Sequence, residues 1–204
     1  MKQYHKIQSL YLRDPAQKHK RFILGQFSVP EFAYLKDNIW DWTEKVDGTN
    51  IRVMWDGERV TLGGKSDNAQ IPALLVTALQ ELFPVEKFKG LDPICLYGEG
   101  YGAKIQKGGG RYRADQSFVL FDTKCGDWWL RRSDVHSLAI TLEIDEVPVV
   151  GRGTLAQAEK FAGGGFLSGW GSFTAEGIVL RPEVQLFDRK GHRIITKLKY
   201  RDFN

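Results

Sequence analysis

Cysteine is scarce in this chain, long apolar runs are missing, and no secretory core follows the first methionine; each absence removes a class of protein. The two cysteines among the 204 residues, Cys95 and Cys125, have no metal-ligand spacing and lie in or beside strand-like segments, where reduced, buried thiols are common. A disulfide scaffold is therefore not expected. No apolar run approaches the roughly 20 residues that a membrane-spanning helix needs, so a membrane partner is not expected either. Met1-Lys2-Gln3-Tyr4-His5-Lys6 leads into no signal-peptide core, which makes a cytoplasmic location the default. Neither internal repeats nor an interdomain linker interrupt the sequence, and its length suits a single domain, residues 1–204, with one substantial core.

What is present points to an ordinary folded protein. An apolar content of 42% with 26% charged residues is that of a globular domain and excludes a disordered or collagen-like chain. The net charge of +4 is compatible with a polyanionic partner without identifying one. Basic residues gather locally, at Lys18 to Arg21, Lys104 to Arg113, Arg131-Arg132 and Arg189 to Arg201.

The first forty residues give no clean period. Beyond them, Ile51 to Trp55 and Arg59 to Leu62 read as two strands joined at Asp56-Gly57, a hairpin signal because a type I′ turn needs positive φ at both central positions. That reading puts Lys45 and Asp47 at a sheet edge. Ile71 to Phe83 has helical spacing, with Pro72 suited to a first turn and Pro84 beyond the end. Ile94 to Tyr101 and Ser117 to Thr123 read as strands around a glycine-rich, basic loop, Gly98 to Arg113. Ser133 is a candidate cap for a helix reaching about Glu143. Val147 to Val150 is a candidate strand, Thr154-Leu155-Ala156-Gln157 a capping box, and Phe173 to Leu180 and Arg193 to Tyr200 the last two strands. Hairpins with scattered helices predict an α+β fold of mainly antiparallel sheets flanked by helices.

The chemistry concentrates in Glu44-Lys45-Val46-Asp47-Gly48-Thr49-Asn50, where a lysine stands beside an acid and before a glycine turn. Lysine has an ordinary pKa of about 10.4 and attacks only as the free amine, so neighbouring cations or a metal must assist it. Strand alternation puts Lys197 and Lys199 on one face, with Leu198 toward the core. Two ammonium groups so placed suit phosphate oxygens. Glu99 and Glu176 are each the sole acid of a glycine-flanked apolar strand, a costly placement unless the carboxylate meets a cation or donors. Phe121 is a candidate for stacking on a base, although a strand phenylalanine is more often core. Taken singly, each of these residues is more often plain surface or packing; their joint order carries the reading.

Together with Tyr97-Gly98-Glu99, Ile105-Gln106-Lys107, Pro148 to Gly153, Thr174-Ala175-Glu176-Gly177 and Lys197-Leu198-Lys199 followed by Phe203, the Lys45 segment resembles the lysine-dependent nucleotidyltransferase superfamily of polynucleotide ligases and capping enzymes. Within it the chain most resembles the RNA ligase 2 family, over roughly residues 40 to 204; Asn50 stands where ATP-dependent DNA ligases usually carry arginine. The resemblance implies the ligase/capping-enzyme nucleotidyltransferase fold, which is ATP-grasp-like. It implies that Lys45 attacks the α-phosphate of ATP and holds AMP, with Glu44 at the adenine edge, Phe121 on the ring and Glu99 on a ribose hydroxyl. Asn50 and Lys65 would face phosphates, Glu176 would act at a divalent metal, Mg2+ or Mn2+, and Lys197 and Lys199 would neutralise the α-phosphate. The implied activity is ATP-dependent RNA ligation, joining an RNA 5′-phosphate to a 3′-hydroxyl. A minimal DNA ligase and a non-catalytic RNA-binding module on the same fold are the alternatives. Lys65 departs from the arginine frequent in the family, and Asp47 from the histidine of some relatives. Relatives usually append a further domain that engages nucleic acid; none is expected here after Lys199, which leaves that task to an accessory protein or to no one.

Overall fold

The computed structural model describes residues 3–203. In chain order the elements are β1 (Gln8–Ser9), β2 (Tyr11–Arg13), β3 (Phe22–Phe27), α1 (Pro30–Tyr34), β4 (Trp40–Glu44), β5 (Thr49–Trp55), β6 (Val60–Gly63), α2 (Ala73–Leu82), β7 (Ile94–Gly102), β8 (Gln116–Cys125), β9 (Trp128–Trp129), α3 (Arg132–Leu142), β10 (Val149–Gly153), α4 (Leu155–Gly164), β11 (Gly177–Pro182) and β12 (Thr196–Lys199). The fold is α+β and, apart from a parallel β1–β12 pair and an isolated Leu120–Glu146 bridge, antiparallel. No helix among the described residues is long and apolar enough to cross a membrane.

The described residues divide into two compact units, one of residues 3–5 and 47–147, the other of residues 6–46 and 148–203. Each has its own core. In the first, a sheet of order β6-β5-β7-β8-β9 buries Ile51, Val53, Leu96, Phe118 and Leu120 on one face, covered by Leu75 and Leu79 of α2 and Val135, Ala139 and Leu142 of α3. The helical residues recur three or four positions apart, the strand residues two apart, so each element presents one apolar side. The opposite face of the sheet is left to polar and aromatic side chains: Asn50, Arg52, Tyr97, Glu99 and Asp122. In the second unit, the sheet β1-β12-β11-β4-β10 packs Trp40, Trp42, Ile178, Leu180 and Leu198 against Leu155, Ala158 and Ala162 of α4. Arg13 and the buried Asp202 close this unit with two hydrogen bonds, 3.0 and 2.6 Å, across 189 residues.

Local structure departs from the sequence reading in informative places. Lys45 does not sit at a sheet edge: β4 lies between β11 and β10, and the Lys45 amide donates to Gly177 O at 2.9 Å. The Asp56-Gly57 hairpin forms, but only Gly57 has positive φ; the Asp56 carboxylate instead accepts from the amides of Glu58 and Arg59, so the turn is a longer Asx-stabilised one. Ser133 lies inside α3, whose N-cap is Arg131 with no side-chain cap. Gly98 to Gly102 belong to β7, and the loop begins only after them. The capping box at Thr154 and Gln157 is complete in both directions. The last two strands are shorter than their apolar runs, starting at Gly177 and Thr196.

Candidate active site

In the second unit, β4, β11 and β12 bring the lysines and Glu176 together. Glu176 directly precedes β11, and its carbonyl accepts from the Tyr200 amide. Gly177, at φ +155°, is the residue that lets β11 approach β12 here: a Cβ would come within 2.1 Å of Leu198 O. The Glu176 carboxylate then bridges two cations, with Lys45 Nζ at 2.6 Å from Oε2 and Lys199 Nζ at 2.5 Å from Oε1. All three side chains are largely buried, at 21%, 12% and 16% exposure for Lys45, Glu176 and Lys199. Burial by itself would raise the Glu176 carboxyl, but the charges of Lys45 and Lys199 outweigh it and hold the group below the usual carboxylate range. Lys197, on the same face of β12 as Lys199, is lowered to about 8 by burial first, then by the charges of Lys199 and Lys45.

Glu44 belongs to a separate polar knot in this unit. It is 1% exposed; Oε1 accepts the Ser168 hydroxyl at 2.6 Å and Oε2 the Gly169 amide at 2.8 Å. Burial raises its carboxyl, against the opposing pull of those two donors. Both carboxylate oxygens are thus engaged by the loop after α4, so Glu44 fixes that loop beside the start of the Lys45 turn.

The first unit holds the remaining predicted residues, Asn50, Glu99 and Phe121 on the strands of its sheet and Lys65 on a loop. Asn50 and Glu99 are direct cross-strand partners on β5 and β7. Asn50 Oδ1 is buried with no hydrogen-bond partner, an unusual state for a buried acceptor. Gly48 allows the turn before β5 to lie on β7, since a Cβ there would meet Gly100 O at 2.3 Å. Phe121 is the extra residue of a β-bulge: Tyr97 pairs with Asp122 and Gly98 with Leu120. Lys65 lies apart, exposed on the loop after β6. That loop is anchored by Arg52, 1% exposed, whose guanidinium donates to Gly64 O at 2.8 Å and Asp67 Oδ1 at 2.7 Å.

Several residues that frame these groups escaped the sequence reading. Ser168, Arg52 and Tyr112 act over long sequence distances, with Tyr112 Oη accepting from the Asp47 amide at 3.1 Å; Gln106, quoted above only as part of a motif and without a role, donates to Gly48 O at 2.9 Å. The alternation of β5 was the one available signal, because it places Arg52 on the face of Asn50. Among the described residues no three His, Cys, Asp or Glu side chains gather as a metal cage. Glu176 is nevertheless a hard oxygen donor, and Mg2+ is commonly held by one or two carboxylates with substrate phosphates and water, so a lone carboxylate among lysines fits a metal that arrives with a nucleotide.

Comparison with known proteins now bears on this geometry. The family model for RNA ligase matches residues 39–199. No curated protein matches the chain. Among solved structures, similarity extends to a Naegleria gruberi RNA ligase with pyrophosphate (TM-score 0.72, 18% identity, 98% of this chain and 56% of that one). A mutant of the Naegleria gruberi enzyme with AMP and manganese gives a TM-score of 0.72 at 17% identity over the same shares. A further mutant, with ATP and manganese, gives 0.68 at 20% identity over 84% of this chain and 52% of that one. The chain thus spans about half the length of the structures it matches, and the likeness concerns the fold.

Proposed function

The chain belongs to the RNA ligase family, and from that premise we propose that it is an ATP-dependent RNA ligase of the RNA ligase 2 type. It forms a lysyl-AMP intermediate on Lys45, passes AMP to an RNA 5′-phosphate and joins that end to a 3′-hydroxyl. The carrying observation is the Lys45–Glu176–Lys199 cluster, a buried candidate nucleophile bridged through one carboxylate to a second cation. ATP, AMP, manganese and pyrophosphate, found with the similar structures, are the substrate, the transferred group, a metal and the leaving group of the first step.

In that step the Lys45 Nζ lone pair forms the N–P bond at the α-phosphate while the bond to the β-phosphate bridging oxygen breaks and pyrophosphate leaves with its electron pair. Lys45 must first leave its bridge with Glu176 and release one proton to solvent, and its nitrogen sheds a second proton to solvent as the phosphoramidate forms. Lys197 and Lys199 then neutralise the equatorial oxygens of the α-phosphate, a clamp of fixed charge that acts most strongly where water is excluded. Glu176 would hold a divalent ion, which when bound supplies further positive charge at the phosphates. Asn50, which the resemblance assigns to phosphates, has an unsatisfied buried acceptor oxygen that suits a sugar hydroxyl better than an acceptor-only phosphate oxygen, so in this reading it joins Glu99 at the sugar, while Lys65 faces phosphate. Phe121 stacks on the adenine, while Glu44 frames the adenine edge through the Ser168-Gly169 loop it fixes. Residues 1–204 act in this reading as one nucleotidyltransferase domain.

The test is incubation with magnesium and ATP labelled at the α-phosphate, read by denaturing gel and intact mass. A covalent adduct of AMP mass that disappears in Lys45→Ala is the expected result. Persistent labelling of the variant would remove Lys45 from its role, and an unlabelled native protein, shown by mass to carry no AMP at the outset, would overturn the reading. Supplying 5′-phosphorylated RNA and DNA ends to the labelled protein then reads strand preference.

A further inference from the structure

Phe121 is the extra residue of the bulge in β8, where two residues oppose one on the partner strand. A bulged residue sits outside the regular ladder that orients its neighbours, and bulges commonly re-aim a side chain. The direction of the Phe121 ring therefore depends on what packs against it. Tyr4 does so from the other end of the sequence: its ring centroid lies 5.0 Å from that of Phe121 at an interplanar angle of 71°, a favourable edge arrangement.

Tyr4 is itself held on several sides. Its hydroxyl donates to Asp122 Oδ2 at 2.8 Å, and Asp122 is fully buried, with Oδ1 accepting the Thr123 amide at 3.1 Å. Its ring lies 5.1 Å from Tyr97 and 5.6 Å from Trp129, and Tyr97 and Trp129 pack on one another at 5.2 Å. The phenol is thus tied to the residue next to Phe121 and walled by two rings of the same sheet face. Phe121 remains partly exposed.

We infer that Tyr4 is a positioning residue for base recognition: it sets the plane of the Phe121 ring on which the purine of the nucleotide stacks. This rests on the reading of Phe121 as the stacking residue. It makes the N-terminal segment a functional part of the nucleotide site, in a stretch where the sequence shows no motif.

Single-turnover lysyl-AMP formation against ATP concentration tests it, with inorganic tripolyphosphate as a competitor that carries phosphates and no base. Stacking on an aromatic side chain is worth about 1–3 kcal/mol per base, so Tyr4→Ala should raise half-saturating ATP roughly tenfold. The inhibition constant of tripolyphosphate should stay unchanged. Added to Phe121→Ala, Tyr4→Ala should cost nothing more, since both act through one ring. Tyr4→Phe keeps the ring and loses only the Asp122 bond; it should shift ATP by about threefold on the same scale and carries the test if Tyr4→Ala does not fold. Equal weakening of both probes, full additivity with Phe121→Ala, or an unchanged ATP dependence would each overturn the inference while the ligase reading stands. A native protein that forms no adduct and binds no ATP would overturn both.

Discussion

In the unit that carries Lys45 the carboxylates of the candidate site are satisfied internally, whereas the sheet that carries Asn50 leaves a buried acceptor open. Glu176 lies between two lysines, and both Glu44 oxygens have donors. On the β5–β7–β8 face, by contrast, Asn50 Oδ1 is buried without a partner and Phe121 stands partly exposed at a bulge. The difference is between a cluster that must be opened and a surface that is waiting to be satisfied. An ion pair has to be exchanged for ligand contacts at some cost, while an orphaned acceptor gains from the first donor that reaches it. Charge chemistry is thus expected to be gated at Glu176 and binding selectivity to be set on the other sheet.

The largest test of that contrast is Glu176→Ala, which removes the acid from between Lys45 and Lys199. Adenylylation should fall on the order of a hundredfold or more, the scale of losing a preorganised electrostatic group; near-native labelling in a rapid-quench assay would show that the bridge is only structural. Next comes Asn50→Ala. It should raise the ATP concentration for half-saturation about tenfold, as for a lost hydrogen bond to a buried acceptor, with the maximal rate much less affected. An unchanged ATP titration would mean that the orphaned oxygen meets no ligand.

Lys197 gives the pH arm. Its folded value of about 8 lies below its ordinary 10.5, so between these the unfolded chain binds more protons than the folded one. Stability should therefore rise with pH across that window, where other shifts do not mask it. Replacing Lys197 by methionine should flatten the rise in thermal unfolding curves; identical slopes would contradict the assignment. Ser168→Ala has a smaller effect: it strips one donor from buried Glu44 and should cost about 1–2 kcal/mol in urea denaturation. Tyr112→Phe is smallest, at about 0.5–1 kcal/mol for a single neutral hydrogen bond to the Asp47 amide, read by the same method.

Much of this was legible in the residues because its causes are local. The capping box at Thr154 and Gln157, the buried Leu75 and Leu79 of α2 and the alternation that buries Leu198 between Lys197 and Lys199 all follow from spacing. The convergence of Lys45, Glu176 and Lys199 did not follow from spacing; it was implied only by the family resemblance that their motifs carry together. The turn at Asp56 was misread because a side-chain acceptor competed with backbone φ as the device that closes it. The forty N-terminal residues resisted reading because their strands have no period of their own; β1 exists through its pairing with β12, Gln8 against Thr196.

Sequence by itself determined the α+β class, the three α-helices and most of the strands after Asn50, and a candidate nucleophile, since propensity and periodicity are encoded over a few residues; β4 (Trp40–Glu44) and β9 (Trp128–Trp129) escaped it. Tertiary structure alone decided that Glu44 spends its carboxylate on Ser168 and Gly169, 124 and 125 residues away. It also decided that Arg52 anchors the Lys65 loop and that Tyr4 reaches Asp122 across 118 residues. The physical reason is directional: a buried hydrogen bond needs donor and acceptor within about 3 Å and in line, and only the folded chain brings such distant groups into that geometry.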